Sequence, residues 1–295
     1  MLKNLCKLLD KWFIGSWIWK YRPLNKLYFA IVPFITRTAY KPGVYTTTDG
    51  FKMYLDPLNL VDRDIAKNKI YEPAITALFK KYLKTWNIFL DIWANIGYYT
   101  LLGSKIVGES GKVFAIEPNS KIISELEKNI TLNTKILPAK NITTFKVWAG
   151  KGKSEFTSYY AKGNPWGSSL IETKENKHFL KETVKVDRLD DILPTHKIDF
   201  IKMDIEWFER EAIQGMIKIL SHTTYMIFEY TPAMKMYDEN LLNYLLDLEF
   251  QLFHISETDQ KLEAISDTYK YCQNLMQKKE LGDKQSNIFA IKRLG

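Results

Sequence analysis

The 295-residue sequence predicts an α/β protein with a mostly parallel β-sheet and helices on both of its faces. From about residue 72, short apolar runs of strand length alternate with amphipathic helical segments. The links between them are short, and the first two strands end at an acidic residue. Strands that alternate with helices over short links form right-handed crossovers of a parallel sheet. The length suffices for one large domain with an extension.

The predicted elements follow in chain order. The first group is a helix at 72–83, a strand at 87–92, a helix at 98–107, a strand at 112–116 and a helix at 120–133. The second group is a strand at 198–203, a helix at 208–220 and a strand at 225–228, and the segments 250–255 and 287–291 form a closing antiparallel pair. The polar, β-prone segment 153–187, with turn residues around Pro165, predicts a β-hairpin insertion.

Residues 1–40 are predicted to form a helical N-terminal extension, and residues 41–295 the main domain. The extension has two apolar segments, 12–19 and 27–35. Each is shorter than the ~18 residues that span a bilayer, and no signal-peptide cleavage site follows. The extension therefore packs on the main domain, or lies on a membrane surface as an amphipathic helix.

Composition limits the class of protein. With 46% hydrophobic and 26% charged residues the chain is globular and not disordered. The net charge of +8 comes from scattered lysines, which indicates a solvated surface. Two cysteines fit a reducing compartment, so a cytoplasmic location is expected, with membrane association through the extension left open. We expect no nucleic-acid partner.

The strongest local signal is the segment 89–100. Asp91 closes a buried strand, a tight turn follows, and a helix begins at once. In open α/β sheets a turn at the carboxyl end of a strand binds nucleotide-like ligands through its N–H groups. Glu117 ends the second strand, where two carboxylate oxygens can accept both hydroxyls of a ribose.

The same turn argues against a dinucleotide. The G-x-G-x-x-G fingerprint needs three glycines, and this turn keeps only Gly97. A carboxylate at Asp91 would repel a pyrophosphate but suits an ammonium group, such as that of S-adenosyl-L-methionine. The sequence therefore favours methyl transfer over hydride transfer.

Four ordered motifs resemble the FkbM-type S-adenosylmethionine-dependent methyltransferases. They are Asp-Ile-Trp-Ala-Asn-Ile-Gly-Tyr-Tyr-Thr at 91–100, Ala-Ile-Glu-Pro-Asn at 115–119, Val-Asp-Arg-Leu-Asp-Asp at 186–191 and Ile-Asp-Phe-Ile-Lys-Met-Asp-Ile-Glu-Trp-Phe-Glu at 198–209. Weaker matches occur at 71–73, 168–170 and 287–289. The resemblance implies a class I methyltransferase fold, with a seven-stranded sheet that has one antiparallel strand. It also implies O-methylation of a sugar or small-molecule hydroxyl.

Carried over residue by residue, the resemblance implies three groups of site residues. The cofactor-binding group is Asp91, Trp93, Ala94, Asn95, Gly97, Tyr99, Thr100, Glu117, Pro118 and Asn119. The catalytic group is Lys202, Asp204 and Glu206, with Asp204 the first candidate for the general base and Glu206 the second. The acceptor group is Ser168, Ser169 and Glu229. A cation site formed by Asp204, Glu206 and Glu229 is a weaker alternative, and we predict no metal.

The sequence departs from the family at glycine positions. Tryptophan stands at 93 and 207, where the family has glycine, and Trp86, Trp148 and Trp166 are further candidates. One hypothesis is a cofactor-free relative that acts as a binding module, with tryptophans filling the old pocket. The other is that the source decodes UGA as glycine. The second is favoured, because the substitutions fall on glycine sites while the acids remain.

Overall fold

A computed structural model describes residues 38–161, 164–169, 180–205, 208–232, 240–256, 260–278 and 286–292. The chain divides into two compact units, Met1–Tyr71 and Glu72–Gly295. Residues 1–37, most of the predicted extension, lie outside the described residues, so its helical character stays a prediction. Within the described ranges, no helix is both long and apolar enough to cross a membrane.

The first unit contains a β-hairpin and a helix. Strands β1 (Gly43–Thr46) and β2 (Lys52–Leu55) pair antiparallel, and helix α1 covers Leu60–Asn68. The carboxylate of Asp62, in the first turn of α1, accepts the backbone N–H of Asp56 at 2.7 Å. This bond fixes the chain where it enters the helix.

The second unit contains the main sheet and a smaller one. In chain order its strands are β3 (Ile88–Ile92), β4 (Lys112–Ile116), β5 (Ile142–Phe145), β6 (Trp148–Ala149), β7 (Ser154–Ala161), β8 (Asn164–Ser169), β9 (Leu180–Asp187), β10 (Phe200–Met203), β11 (Tyr225–Tyr230), β12 (Phe250–Ile255), β13 (Leu262–Ala264) and β14 (Ser286–Lys292). The main sheet has the order β13-β12-β14-β11-β10-β3-β4-β5. Strands β11, β10, β3, β4 and β5 run parallel, and β14 is antiparallel to both of its neighbours.

The predicted sheet is confirmed with one addition. Its seven predicted strands with one antiparallel member correspond to β12 through β5, and the short β13 adds an eighth strand at the edge. The predicted closing pair is β12 with β14. The predicted hairpin is β7 with β8, and it belongs to a separate four-stranded sheet of order β6-β9-β7-β8.

The helices of the second unit are α2 (Pro73–Tyr82), α3 (Tyr98–Val107), α4 (Ser120–Leu132), α5 (Leu189–Ile192), α6 (Glu209–Gln214), α7 (Ile217–His222), α8 (Asn240–Asp247) and α9 (Thr268–Met276). The prediction of a single helix at 208–220 is wrong, because the chain forms two helices, α6 and α7, with a break at Gly215. The buried carboxylate of Asp190 accepts the N–H groups of Lys218 and Ile219, each at 3.1 Å. This cap requires a new helix N-terminus, which a continuous helix would not offer.

One face of the sheet changes from aromatic to charged towards its carboxyl edge. Near the amino ends of β3 and β10, Phe89 and Phe200 lie side by side, and Phe79 of α2 packs on both with ring centroids 4.8 and 5.1 Å away. Two residues further along the same face come Asp91 and Lys202, again side by side. The aromatic layer thus excludes water directly beneath a pair of opposite charges.

Gly215 allows a close approach of two backbone segments. A Cβ added at this position would collide with the carbonyl oxygen of Gly150. We expect Gly215→Ala to lower the free energy of unfolding by about 1–3 kcal/mol, the usual cost of overpacking. Chemical denaturation measures the change, and Gly152→Ala is the matched control, since a Cβ there has no neighbour within 4 Å. Equal effects of the two substitutions would contradict this account.

Candidate functional site

Charged side chains collect where the parallel strands end. Asp91 is the penultimate residue of β3, Lys202 lies beside it on β10, and Asp204 follows β10. Glu229 lies near the end of β11, opposite Asn287 of β14. The carboxyl edge of a parallel sheet is where open α/β folds bind ligands.

Asp91 is buried, and it has one hydroxyl partner. Thr100 of α3 donates a hydrogen bond to its carboxylate at 2.6 Å. Burial raises the pKa of Asp91 to about 6, although the Lys202 cation and the Thr100 hydroxyl oppose the rise. Near neutral pH the group is therefore largely ionised, so it can attract a cationic ligand.

Lys202 is a buried cation among acids. Its side chain is 7% exposed, and its Nζ lies 3.0 Å from Oδ2 of Asp204 and 4.8 Å from the centre of the Tyr99 ring. Burial alone would lower the pKa of Lys202, but the surrounding carboxylates, Asp204 first, outweigh it and hold the pKa above its ordinary range. Lys202 is therefore a fixed positive charge and not a proton carrier.

Asp204 is ionised and reachable. Its side chain is 30% exposed, unlike that of Lys202. Burial raises the pKa of Asp204, but the Lys202 ammonium and a hydrogen bond with Glu229 outweigh it, so the pKa lies below its ordinary value. Glu229 is therefore a direct side-chain neighbour of the ionised Asp204.

The turn after β3 uses up its own backbone donors. Trp93 and Ala94 both donate to the carbonyl oxygen of Ile116 at 2.9 Å, and Gly97 donates to Ala94 at 3.0 Å. Asn95 donates to the Glu117 carboxylate at 3.1 Å. The prediction that a ligand lies against exposed N–H groups of this turn is therefore wrong for residues 93–95 and 97. These four N–H groups are therefore not available to a phosphate.

Glu117 is fully buried, with 0% of its surface exposed. Its two oxygens accept the N–H groups of Asn95 at 3.1 Å and of Asn119 at 2.9 Å. Burial raises the pKa of Glu117 to about 8, despite these two hydrogen bonds. The predicted ribose-binding acid is thus in place but closed off, and it is mostly protonated at neutral pH.

A small cavity of about 10 Å³ remains beside this acid. Its lining is apolar and consists of Ile92, Trp93, Ile116, Pro118, Val147, Trp148, Ala149 and Ile205. The rings of Trp93 and Trp148 meet edge to face with centroids 4.9 Å apart. Within the described part of the chain, the indole nitrogen of Trp148 is buried without a hydrogen-bond partner, as is the side-chain nitrogen of Asn119.

These observations test the fit of S-adenosylmethionine. The ionised Asp91 suits its ammonium group, and two buried donors without partners are typical of a site that accepts a polar ligand. The cavity, however, holds at most a single water molecule, and Trp93 fills the space around it. The charged residues fit the cofactor, and the side chain at position 93 does not.

The other predicted residues have varied outcomes. The Asn119 side chain accepts the N–H groups of Lys121 and Ile122, and so caps α4. Tyr99 lies in the first turn of α3, and its ring contacts the ammonium group of Lys202. Ser168 and Ser169 lie in β8, and nothing is described of their side chains. Glu206 and Trp207 lie outside the described residues, so the second candidate base and the cation site stay predictions.

Glu72 is a site residue whose role the sequence analysis missed. Its carboxylate accepts the Tyr99 hydroxyl at 3.0 Å, and it contributes to the high pKa of Lys202. Its backbone is left-handed, with φ of 42°. In the sequence, only its position directly before Pro73, the first residue of α2, sets Glu72 apart.

The comparisons with known proteins agree with this arrangement. A family model described as "Methyltransferase FkbM domain" matches residues 91–252. None of the curated proteins matches the sequence.

Three solved structures illustrate the similarity in fold. The FkbM methyltransferase of Methylobacillus flagellatus KT is 18% identical with a TM-score of 0.44, and the match covers 70% of this chain and 43% of that one. A SAM-dependent O-methyltransferase of Thermotoga maritima is 15% identical with a TM-score of 0.42, covering 88% and 82%. An rRNA methylase of Streptococcus thermophilus is 10% identical with a TM-score of 0.44, covering 76% and 98%.

Two expectations change with these findings. The exclusion of nucleic acid was wrong, because a protein of similar fold is named as an rRNA methylase. The alternative of a cofactor-free binding module is not supported, because the family model that matches residues 91–252 is that of a methyltransferase domain.

We expect the free energy of unfolding to fall as the pH rises from about 5 to 8. Because the pKa of Glu117 is raised from 4.5 to about 8, the folded protein holds a proton that the unfolded chain has released. The stabilisation is complete below pH 4.5 and is lost as the pH passes through 8. One such group gives at most about 1.4 kcal/mol per pH unit. Urea denaturation across this range measures the slope.

Two substitutions show which carboxyl group causes the pH dependence of the free energy of unfolding. Glu117→Gln should abolish it between about pH 6.5 and 8, because only Glu117 of the two raised acids titrates there. Asp91→Asn should change it only below about pH 6, where the Asp91 carboxyl titrates. A Glu117→Gln variant that keeps the wild-type slope above pH 6 would show that another group is responsible.

Proposed function

Since the chain belongs to the FkbM methyltransferase family, we propose that it transfers a methyl group from S-adenosyl-L-methionine to a hydroxyl of a sugar or another small molecule. The observation that carries the hydroxyl acceptor is the Asp204 carboxylate, which is ionised, partly exposed and located at the carboxyl edge of the sheet. A hydroxyl must lose its proton as its oxygen is methylated. A carboxylate within reach takes that proton.

The charges around Lys202 support a cationic cofactor. Glu72, Asp91 and Asp204 all act on this one ammonium group, so the carboxylates outnumber it. S-adenosylmethionine would supply a methyl group already activated on a positively charged sulfonium. Asp91 would hold the ammonium of its methionine part. Glu117, which is closed off in this structure, would accept the ribose hydroxyls once the space beside it is opened. The remaining task of the protein is to orient the acceptor oxygen.

Asp204 and Glu229 offer two adjacent oxygen sites to the acceptor. A hydroxyl becomes strongly acidic only as the methyl group reaches it, so a carboxylate with a low pKa still serves as the base. Glu229 is hydrogen-bonded to Asp204 and can orient a neighbouring hydroxyl. Paired carboxyl groups suit a polyhydroxylated acceptor, which supports a sugar over an isolated alcohol.

Lys202 acts as a positioning residue. Its Nζ holds Asp204 at 3.0 Å, and the ring of Tyr99 covers it from another side. The fixed cation keeps Asp204 ionised before the acceptor binds. It also fixes the direction of the carboxylate, which limits where the acceptor hydroxyl can lie.

We expect Asp204→Asn to lower kcat by at least about 100-fold, the usual contribution of a general base. The affinity for S-adenosylhomocysteine should change only a few-fold, because Asp91 and Glu117 are intact. Steady-state kinetics and calorimetry measure the two quantities, in the wild-type chain and together with Trp93→Gly, since the indole fills space beside the cofactor acids.

Asp199→Asn is the matched control for Asp204→Asn. Asp199 directly precedes the first residue of β10, at the end of the strand away from the site, and its carboxylate accepts the N–H of Ile88 at 2.7 Å. The control loses stability without touching the site, so kcat should stay near the wild-type value. An unchanged kcat in Asp204→Asn would remove this residue from the role of base.

The acceptor class is tested with S-adenosylmethionine that carries a labelled methyl group. Sugars, small hydroxy compounds and RNA are offered separately. A base-stable methyl ether on a sugar or small molecule supports the proposal. Label found only in RNA would replace the acceptor class while leaving methyl transfer in place, and label in none would count against the transfer itself.

A further inference from the structure

Two tryptophans have a backbone conformation that favours glycine. Trp86 has φ of 62° and Trp93 has φ of 66°, both in the left-handed region. For bulky L-residues this region is a steric outlier, because Cβ crowds the carbonyl oxygen. No other aromatic residue among those described has a positive φ.

Side-chain packing does not account for the conformation of Trp86. The residue is 71% exposed, so burial of the indole offers little in return for the strain. The backbone fixes the conformation instead, since the N–H of Trp86 donates to the carbonyl oxygen of Val107 at 2.8 Å and ties the turn before β3 to the end of α3. A glycine would make the same bond without a Cβ.

At Trp93 the side chain has a second consequence. The indole packs edge to face on Trp148, which in turn packs on Phe208 with ring centroids 5.5 Å apart. An indole is a fused six-membered and five-membered ring, like the purine of adenosine. Its surroundings are apolar, and they carry the buried N–H of Trp148, which has no partner among the described residues.

We propose that Trp93 closes a purine pocket of this protein, and that the backbone at positions 86 and 93 is that of glycine. With glycine at 93, the space that the indole vacates opens between Ile116, Pro118 and Trp148, next to Glu117. The ligand class is an adenine nucleoside, with the purine in the apolar slot and the ribose at the acid. This inference rests on the proposed function and adds which residue controls access to the cofactor.

The structure also separates the suspect tryptophans. Trp148 lies in β6 without a positive φ, and its ring is buried in the core. It is therefore an ordinary core residue. Trp86 and Trp93 share a strained backbone although only one of them lies at a pocket, which fits a common origin in decoding. UGG at codons 86 and 93 of the gene would refute that origin.

The pocket is tested by calorimetry with S-adenosylhomocysteine, using Trp93→Gly, Trp93→Ala and Trp86→Gly. Both variants at 93 should bind at least about 10-fold more tightly than the wild-type chain, because each removes the indole from the slot. Trp86→Gly is the matched control and should leave the affinity unchanged. Trp93→Ala keeps a Cβ at the strained position, so it separates opening of the pocket from relief of the backbone.

The backbone claim is tested by thermal denaturation without ligand. Trp86→Gly should raise Tm by about 2–4 °C, since relief of roughly 1 kcal/mol gives such a shift in a domain of this size. Trp93→Gly should melt above Trp93→Ala for the same reason. A Trp86→Gly variant that melts below the wild-type chain would overturn the claim.

The outcomes distinguish this inference from the proposed function. Equal, tight binding by the wild-type chain and by both variants at 93 would refute the closed pocket and leave the methyltransferase proposal intact. Binding by none of the proteins, with all of them folded, would refute both. Binding by the variants at 93 alone supports both.

Discussion

The site depends on one buried cation. Taking the ammonium of Lys202 out of water is costly unless acids and a polarisable surface replace the water. Asp204 contacts it directly at 3.0 Å, and the Tyr99 ring lies over it at 4.8 Å. Asp91 is its neighbour because β3 and β10 pair in a register that sets the two residues side by side. A shift of that register by one residue would turn Lys202 to the other face of the sheet.

The layer below the cation decides how strongly these charges interact. Phe89 and Phe200 lie two residues before Asp91 and Lys202 on the same face of the sheet, and Phe79 packs on both rings. The charges therefore lie on a dry surface with a low dielectric constant. Burial in this environment raises the pKa of Asp91, which has no direct ion pair among the described residues. It also strengthens the pair between Lys202 and Asp204, which keeps the latter ionised. Beside the same aromatic layer, the pKa of Asp91 is therefore raised and that of Asp204 lowered.

The sequence carried enough information for the strands and for the acids at their ends. Asp91 and Glu117 could be predicted because each follows a short apolar run, and the carboxyl end of such a run is defined locally. The split of the helix at Gly215 could not, because the cap comes from Asp190, which lies 28 residues before Lys218. Glu72 was missed for the same reason, since its role depends on Tyr99, 27 residues later. Local patterns do not reveal such contacts, which exist only after the sheet has formed.

The turn after β3 shows how charge and shape are recognised separately. The N–H groups of Trp93, Ala94, Asn95 and Gly97 are bonded within the protein, so the turn offers no backbone donor there for an anionic phosphate. Recognition of charge then falls to carboxylates, which favour a cationic ligand. Shape is decided at position 93, whose side chain occupies the apolar slot next to Glu117. Because the described residues that line this slot include no charged group, a change at position 93 alters the room for a ring without altering the charges that select the ligand.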